Sequence, residues 1–472
     1  MDISRDDLLN IEKHNKQEKK LKIKFTLFCS LIILTFHFMI CRFSNPVRSD
    51  SKKLHMKTEN GTEKSTIDTD NTNTDTDTDT NDTTSTVILV SIDGFRNDYL
   101  ERLEFTPTLN YLSLKGNKAQ FLKPAFPSKT FPNHYSIATG LLPESHGIVD
   151  NAFYDKDLNQ TFNIRDTDLI KIPEWWGGSP IWIEAEKNNI KSAVCMWVGC
   201  NVEINGYLPS YLVEFNATTT LDEKFNMVSK WLKLPKRERP KLILIYLPEV
   251  DEAAHNYGVH SDEVNLNLML VDKFIAKLYK KINKKKYRKN TNLIVVSDHG
   301  MADIKQNGKI YIDDIFDEKD NINVLSFVPH LNIKDKDNLN IEYLYNKMLN
   351  ASIEHGHWIP FKREEILERY HYRNNKRISP IIGIAEEGYS FAYRNKTIPL
   401  ATHGYDNEDK SMRAFFLGVG PVFSKFPGQV IPSFNNVEIF NLITHILNIG
   451  ETAPPNNGTV EAMEMFKYYL NI

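Results

Sequence analysis

Five runs of the chain are apolar almost without a break: Val87–Ile92, Ala193–Val198, Leu242–Leu247, Leu293–Ser297 and Phe415–Val419. Continuous rather than alternating hydrophobicity is the pattern of strands buried on both faces. Between these runs, Thr106–Lys115, Pro180–Asn188, Leu221–Leu232, Asp262–Lys280 and Val437–Leu447 carry helical patterning. Strands that alternate with helices predict an α/β fold, with a mostly parallel central sheet and helices on both faces. Lys319–Arg377 is more charged and less periodic, and reads as a long excursion from that sheet. No internal repeat is visible.

The polar residues that interrupt this pattern do so at the ends of strands. Asp93 follows Val87–Ile92, Asp251 and His255 follow Leu242–Leu247, and Asp298 with His299 follow Leu293–Ser297. In such sheets functional groups collect beyond the carboxyl ends of strands, so separate strands would deliver these residues to one edge. Asp251 and His255 are four apart and share a face on a helical turn. His403 stands in Ala401–Asn407, later in the chain. Thr130 lies in a Pro-Ser-Lys-Thr-Phe-Pro loop and is the best-placed hydroxyl. Each feature alone has a structural explanation: Asp93 as a strand-end turn, Thr130 as a helix cap, the 251/255 pair as a solvated helix face. Their joint occurrence instead suits a two-metal site for phosphoryl chemistry. Mixed His and Asp ligands favour zinc, and metal coordination is one way to activate a threonine hydroxyl.

Composition narrows the class. The chain has 472 residues, 41% of them hydrophobic, and a net charge of -3. No global basic field points to a nucleic-acid polymer. Residues 1–24 are lysine-rich and precede the apolar run 25–41, which is near the roughly 17-residue minimum for a membrane span. The lysines before it predict a cytoplasmic tail and a single-pass type II signal anchor at the plasma membrane; a cleaved signal peptide is the rival reading. Residues 42–86 include a long Asp-Thr tract that cannot bury a core and reads as a disordered stalk. The remainder, 87–472, is expected to be one extracellular catalytic domain. Sequons at Asn159, Asn216, Asn350, Asn395 and Asn457 are glycosylation candidates there. Cys195 and Cys200 either pair in an oxidising compartment or remain buried thiols.

Asp93, the block Pro127–Ile148, Asp251 with His255, Ser297–Met301 and His403–Asn407 together resemble the nucleotide pyrophosphatase/phosphodiesterase family of the alkaline phosphatase superfamily. The similarity runs in order through residues 87–425 and is closest to the short, catalytic-domain-only members. It implies an alkaline-phosphatase-like fold with two zinc ions. One would take Asp251, His255 and His403; the other Asp93, Asp298, His299 and the oxygen of Thr130. Thr130 would be the nucleophile, passing through a phospho-threonyl intermediate. Asn151 would donate to a non-bridging phosphate oxygen, and Phe131 and Phe215 would sandwich a base. Asn201 stands where the family has an aspartate near the base.

The resemblance predicts an enzyme acting on small nucleotides (diesters, dinucleoside polyphosphates, NAD or ATP) and releasing nucleoside 5′-monophosphates; the anchor would hold it at the cell surface, and a monomer is expected. Choline- and lysophospholipid-cleaving relatives share the same metal ligands, so that substrate class stands as the alternative. A catalytically silent surface module is the third, and the intact ligand set argues against it.

Overall fold

The computed structural model describes residues 85–334 and 340–472, all within one compact unit. The expected tail, anchor and nearly all of the stalk lie outside the described residues. Among the described residues, no helix is long and apolar enough to cross a membrane.

The main sheet has eight strands: β1 (Thr86–Ile92), β2 (Asn117–Ala119), β3 (Ser192–Cys195), β4 (Tyr211–Val213), β5 (Leu242–Leu247), β6 (Thr291–Val296), β7 (Phe416–Val419) and β8 (Val430–Ile431). Their spatial order is β8-β2-β7-β6-β1-β5-β3-β4. The centre is parallel: β1 pairs with β5 on one side and β6 on the other, in register from Val87–Leu242 and Thr86–Thr291 onward. Every residue of β1, β5 and β6 is buried, because hydrophobic clusters cover both faces. That burial is why these runs are continuously apolar.

The five strand expectations fall on β1, β3, β5, β6 and β7, with two adjustments. β3 stops at Cys195, since Met196 takes a left-handed φ of +66°, so the expected strand ending at Val198 is shorter. β7 runs antiparallel to β6 and β2. The chain reaches β7 without a crossover helix of the kind that links β5 to β6. All five expected helices are present, at Pro107–Ser113, Ile181–Lys187, Leu221–Trp231, Asp262–Ile282 and Glu438–Ile446.

Two readings need correction. The Thr130 segment is not a loop throughout: Thr130 is the first residue of helix α1 (Thr130–Thr139). The stretch read as an excursion is a second small sheet, with antiparallel strands in the order Val324–Ser326, Leu331–Ile333, Ile381–Ala385, Trp358–Lys362. A helix at Ile341–His355 completes it. Asn340 caps that helix by accepting the Tyr343 N–H at 3.0 Å. Leu344 and Met348 face a separate core with Leu331, Trp358, Ile381 and Phe391.

Cys195 and Cys200 are both buried and not bonded to each other. Burial pushes the Cys195 thiol up to about 11, so it behaves as an inert core residue.

Candidate active site

The carboxyl ends of β1, β5 and β6 are adjacent, so the polar residues that follow them converge. Asp93 leaves β1 with its N–H on the Leu247 carbonyl at 2.9 Å. Gly94 follows at a left-handed φ of +63°, where a Cβ would lie 2.9 Å from Asp251 Oδ1. Only glycine allows that approach. Beyond β5, helix α2 (Glu249–Tyr257) sets Asp251 and His255 one turn apart, with Oδ2 and Nε2 3.4 Å from each other. Beyond β6, Asp298 accepts the Gly94 N–H at 3.2 Å. His403 enters from a short strand, Ala401–Thr402, paired with Ala302–Asp303.

The three histidines share one arrangement. Nδ1 of His255 lies 2.7 Å from the Ala401 carbonyl, that of His299 2.8 Å from Gly300, and that of His403 2.9 Å from Ser128. A carbonyl can only accept, so each Nδ1 carries a proton and each Nε2 is the atom turned toward the site. His299 Nε2 is 2.9 Å from Asp298 Oδ2, 3.4 Å from Asp93 Oδ1 and 3.3 Å from Thr130 Oγ. His403 Nε2 is 3.6 Å from Asp251 Oδ1. The His299 and His403 rings stack with centroids 3.6 Å apart.

Three carboxylates therefore meet at the site. Asp93 Oδ1 and Asp251 Oδ1 are inaccessible and accept no hydrogen bond among the described residues, while Asp298 Oδ2 is met by His299 and His134. Burial, then the charges of Asp298 and Asp251, push Asp93 well above the usual carboxylate range. Burial also opposes ionisation of Asp298, but His299 and His134 outweigh it and hold that carboxyl low. Burial and its two histidine neighbours keep His403 neutral, well below its ordinary value. Clustered buried carboxylates are costly, and oxygens interleaved with imidazole nitrogens form a donor set suited to divalent cations. Three overlapping groups meet that description: Asp251/His255/His403, Asp93/Asp251/His299 and Asp93/His134/Asp298.

Thr130 opens α1 and sits at the positive end of its helix dipole. Asn151 stands next to it, and its Oδ1 accepts the Phe131 N–H at 3.1 Å. That bond fixes the Asn151 amide, which lines the cleft. The cleft encloses about 520 Å³ and is lined by Asp93, Thr130, Phe131, Asn151, Phe215, Asp251, His255 and His403, among others. Phe215 is 56% exposed and lies 6.2 Å from the Tyr246 ring. Asn201 and Lys171 both hydrogen-bond Glu214 at the same cleft. All five sequons are on the surface.

Two residues at the site escaped the sequence reading. His134 lies one turn after Thr130, with Nδ1 2.9 Å from the Thr130 carbonyl and 3.2 Å from Asp298 Oδ2; its i,i+4 spacing was the available signal. Tyr246 donates to Asp93 Oδ2 at 2.5 Å. It is the one residue of the apolar run Leu242–Leu247 with a polar tip to satisfy.

An α/β sheet with a carboxylate–imidazole pocket and a hydroxyl at its carboxyl edge defines an alkaline-phosphatase-like hydrolase. The model for type I phosphodiesterase / nucleotide pyrophosphatase matches residues 87–406, and the chain belongs to that family of metal-dependent hydrolases. It is 41% identical over 394 residues to an uncharacterised pyrophosphatase/phosphodiesterase of Schizosaccharomyces pombe, covering 80% of this chain and 79% of that protein. It is 34% identical to human ectonucleotide pyrophosphatase/phosphodiesterase family member 1, over 80% of this chain but only 41% of that longer protein. The solved structure of murine ectonucleotide pyrophosphatase/phosphodiesterase 5 superposes with a TM-score of 0.76 and 31% identity, covering 82% of this chain and all of that one. An inactive threonine-to-alanine variant of the murine protein is known in complex with AMP.

Proposed function

We propose that this chain is a two-zinc phosphodiesterase that cleaves small nucleotides to nucleoside 5′-monophosphates, with Thr130 as nucleophile. One observation carries the reading: three histidines, each proton-pinned at Nδ1 by a backbone carbonyl, present Nε2 to buried carboxylate oxygens beside one hydroxyl. Asp93, Thr130, Asp298 and His299 would hold one ion, and Asp251, His255 and His403 the other. When bound, such ions neutralise the carboxylates, acidify a hydroxyl and screen phosphate charge.

The remaining roles belong to the chain. Thr130 Oγ, giving up its proton, forms a bond to phosphorus as the bond to the leaving oxygen breaks and that oxygen leaves protonated; the phospho-threonyl intermediate still carries the nucleoside, and water then hydrolyses it to the 5′-monophosphate and restores the hydroxyl. The N-terminus of α1 lies where that phosphoryl charge forms. The Asn151 amide, its oxygen held by the Phe131 N–H, directs its NH2 at a non-bridging oxygen in an oxyanion-hole role. Phe131 and Phe215 line the cleft and offer two aromatic faces to a base, which stacks regardless of its identity. The AMP complex of the murine protein supports a nucleotide occupant. The lysine-flanked apolar run at 25–41 supports a type II anchor with the catalytic domain outside the cell.

Three p-nitrophenyl esters, of thymidine 5′-monophosphate, phosphocholine and phosphate, test this reading with and without chelator. The nucleotide ester should turn over fastest, and chelation should stop it. Thr130→Ala should lower kcat by about 10⁴-fold or more while metal content measured by emission spectroscopy stays near wild type. Preference for the phosphocholine ester would overturn the substrate, and near-normal turnover by the alanine variant would overturn the nucleophile.

A further inference from the structure

Lys129 and Asp150 form a buried ion pair immediately beside the proposed chemistry. Their side chains are only 5% and 4% exposed, and Lys129 Nζ lies 2.7 and 2.9 Å from the two Asp150 oxygens. Lys129 directly precedes Thr130, and Asp150 directly precedes Asn151. A second tie runs parallel to the first, from the Phe131 N–H to Asn151 Oδ1. Two cross-links, 129–150 and 131–151, therefore flank the nucleophile and its oxyanion donor.

The carboxylate of the pair has further partners. Asp150 Oδ1 also accepts the Asn151 N–H at 2.5 Å. Asp150 Oδ2 accepts from Asn332 Nδ2 at 3.0 Å and Ser326 Oγ at 3.3 Å, both on strands of the small antiparallel sheet. On the other side, the Lys129 stem packs against Gly404, where a Cβ would stand 3.1 Å from its Cε. Stability alone does not call for such a pair, because well-packed apolar residues commonly serve a buried position as well or better. What charges add is a fixed register, and here that register joins Thr130 to Asn151.

We propose that Lys129 and Asp150 are positioning residues that set the Asn151 amide against Thr130, and that the small sheet holds them in place through Asn332 and Ser326. The inference rests on the proposed roles of Thr130 and Asn151. A 1 Å error in placing such groups costs about 10²-fold in rate. The loss belongs to the transition state, so it falls on kcat rather than KM.

The test uses the full chain and the p-nitrophenyl ester of thymidine 5′-monophosphate, with kcat and KM measured separately for Asp150→Asn, Lys129→Met, Asn151→Ala and the double variant D150N/N151A. Asp150→Asn and Lys129→Met should each lower kcat by about 10²-fold, with KM within about threefold and metal content unchanged. D150N/N151A should be no slower than Asn151→Ala alone, because Asp150 acts through Asn151. Multiplied losses in the double variant, or a change confined to KM, would overturn the proposal. Asn151→Ala at the wild-type rate would overturn the donor role and this inference with it, while leaving the Thr130→Ala result standing. Asn332→Ala keeps the ion pair and guards against misfolding of the other variants. A fall in kcat of about tenfold at constant KM is expected, and an unchanged kcat would remove the small sheet from the device.

Discussion

The two sheets of this molecule differ in how they use sequence. The main sheet buries every residue of its central strands, and its carboxyl edge carries the titratable groups. The small sheet has strands of three to five residues, one helix and a separate core, and none of the proposed metal ligands. Yet it reaches the site through Asn332 and Ser326. The larger element supplies the reactive groups, and the smaller one braces the loops between them. Ligand changes at the main edge should therefore cost activity, whereas core changes in the small sheet should cost stability.

The largest effect expected from this contrast is at the main edge. His403→Ala removes a bare Nε2 from a buried cluster and should lower kcat/KM by roughly 10²-fold or more, with loss of bound metal. Full metal content with wild-type activity would remove His403 from the ligand set. Next is Met348→Ala, in the core of the small sheet and fully buried. It should cost about 2–5 kcal/mol in chemical denaturation while each folded molecule keeps most of its kcat. If kcat falls as far as stability does, the division between chemistry and bracing breaks down.

A pH effect follows from His330, which is buried beside the small sheet and lowered to about 3 by burial and by the nearby Lys129 charge. An unfolded histidine binds its proton near 6.5, so the unfolded chain gains a proton that the folded one refuses. Stability is thus complete above about 6.5 and falls as pH drops toward about 3. His146, also lowered to about 3 by burial, acts in the same direction. His330→Leu should flatten this acid limb by up to about 1.4 kcal/mol per pH unit, read from denaturation midpoints between pH 4 and 6. An unchanged slope would show that His330 protonates in the fold.

The smallest effect is at the rim. Phe215→Ala should raise KM for the nucleotide ester by about tenfold, near the low end for one base–aromatic stack, because the ring is half exposed. An unchanged KM would shift base binding to Phe131 alone.

Much of this was legible because double-sided burial forces an apolar run, and Val87–Ile92, Leu242–Leu247 and Leu293–Ser297 could be read as central strands from that alone. Asp93, Asp251, His255, Asp298 and His299 were legible as polar breaks at the ends of those runs. The small sheet was not legible. Its strands are short, and the helix Ile341–His355 buries only Leu344, Met348 and Ser352, too narrow a stripe to stand out among charges. Tyr246 was hidden inside an apolar strand, and His134 inside a helix taken for a loop.

The sequence by itself determined which residues could carry the chemistry, since residue type and local periodicity are properties of the chain. It also determined the α/β class, because strand burial and helix patterning are written in the order of apolar positions. Tertiary structure alone decided the antiparallel run of β7, the small sheet at 324–385, and the meeting of Lys129 and Asp150 with Asn332. Those depend on pairings across 21 and 182 residues. No local pattern encodes such pairings, because the energy that selects them comes from burial shared between distant segments.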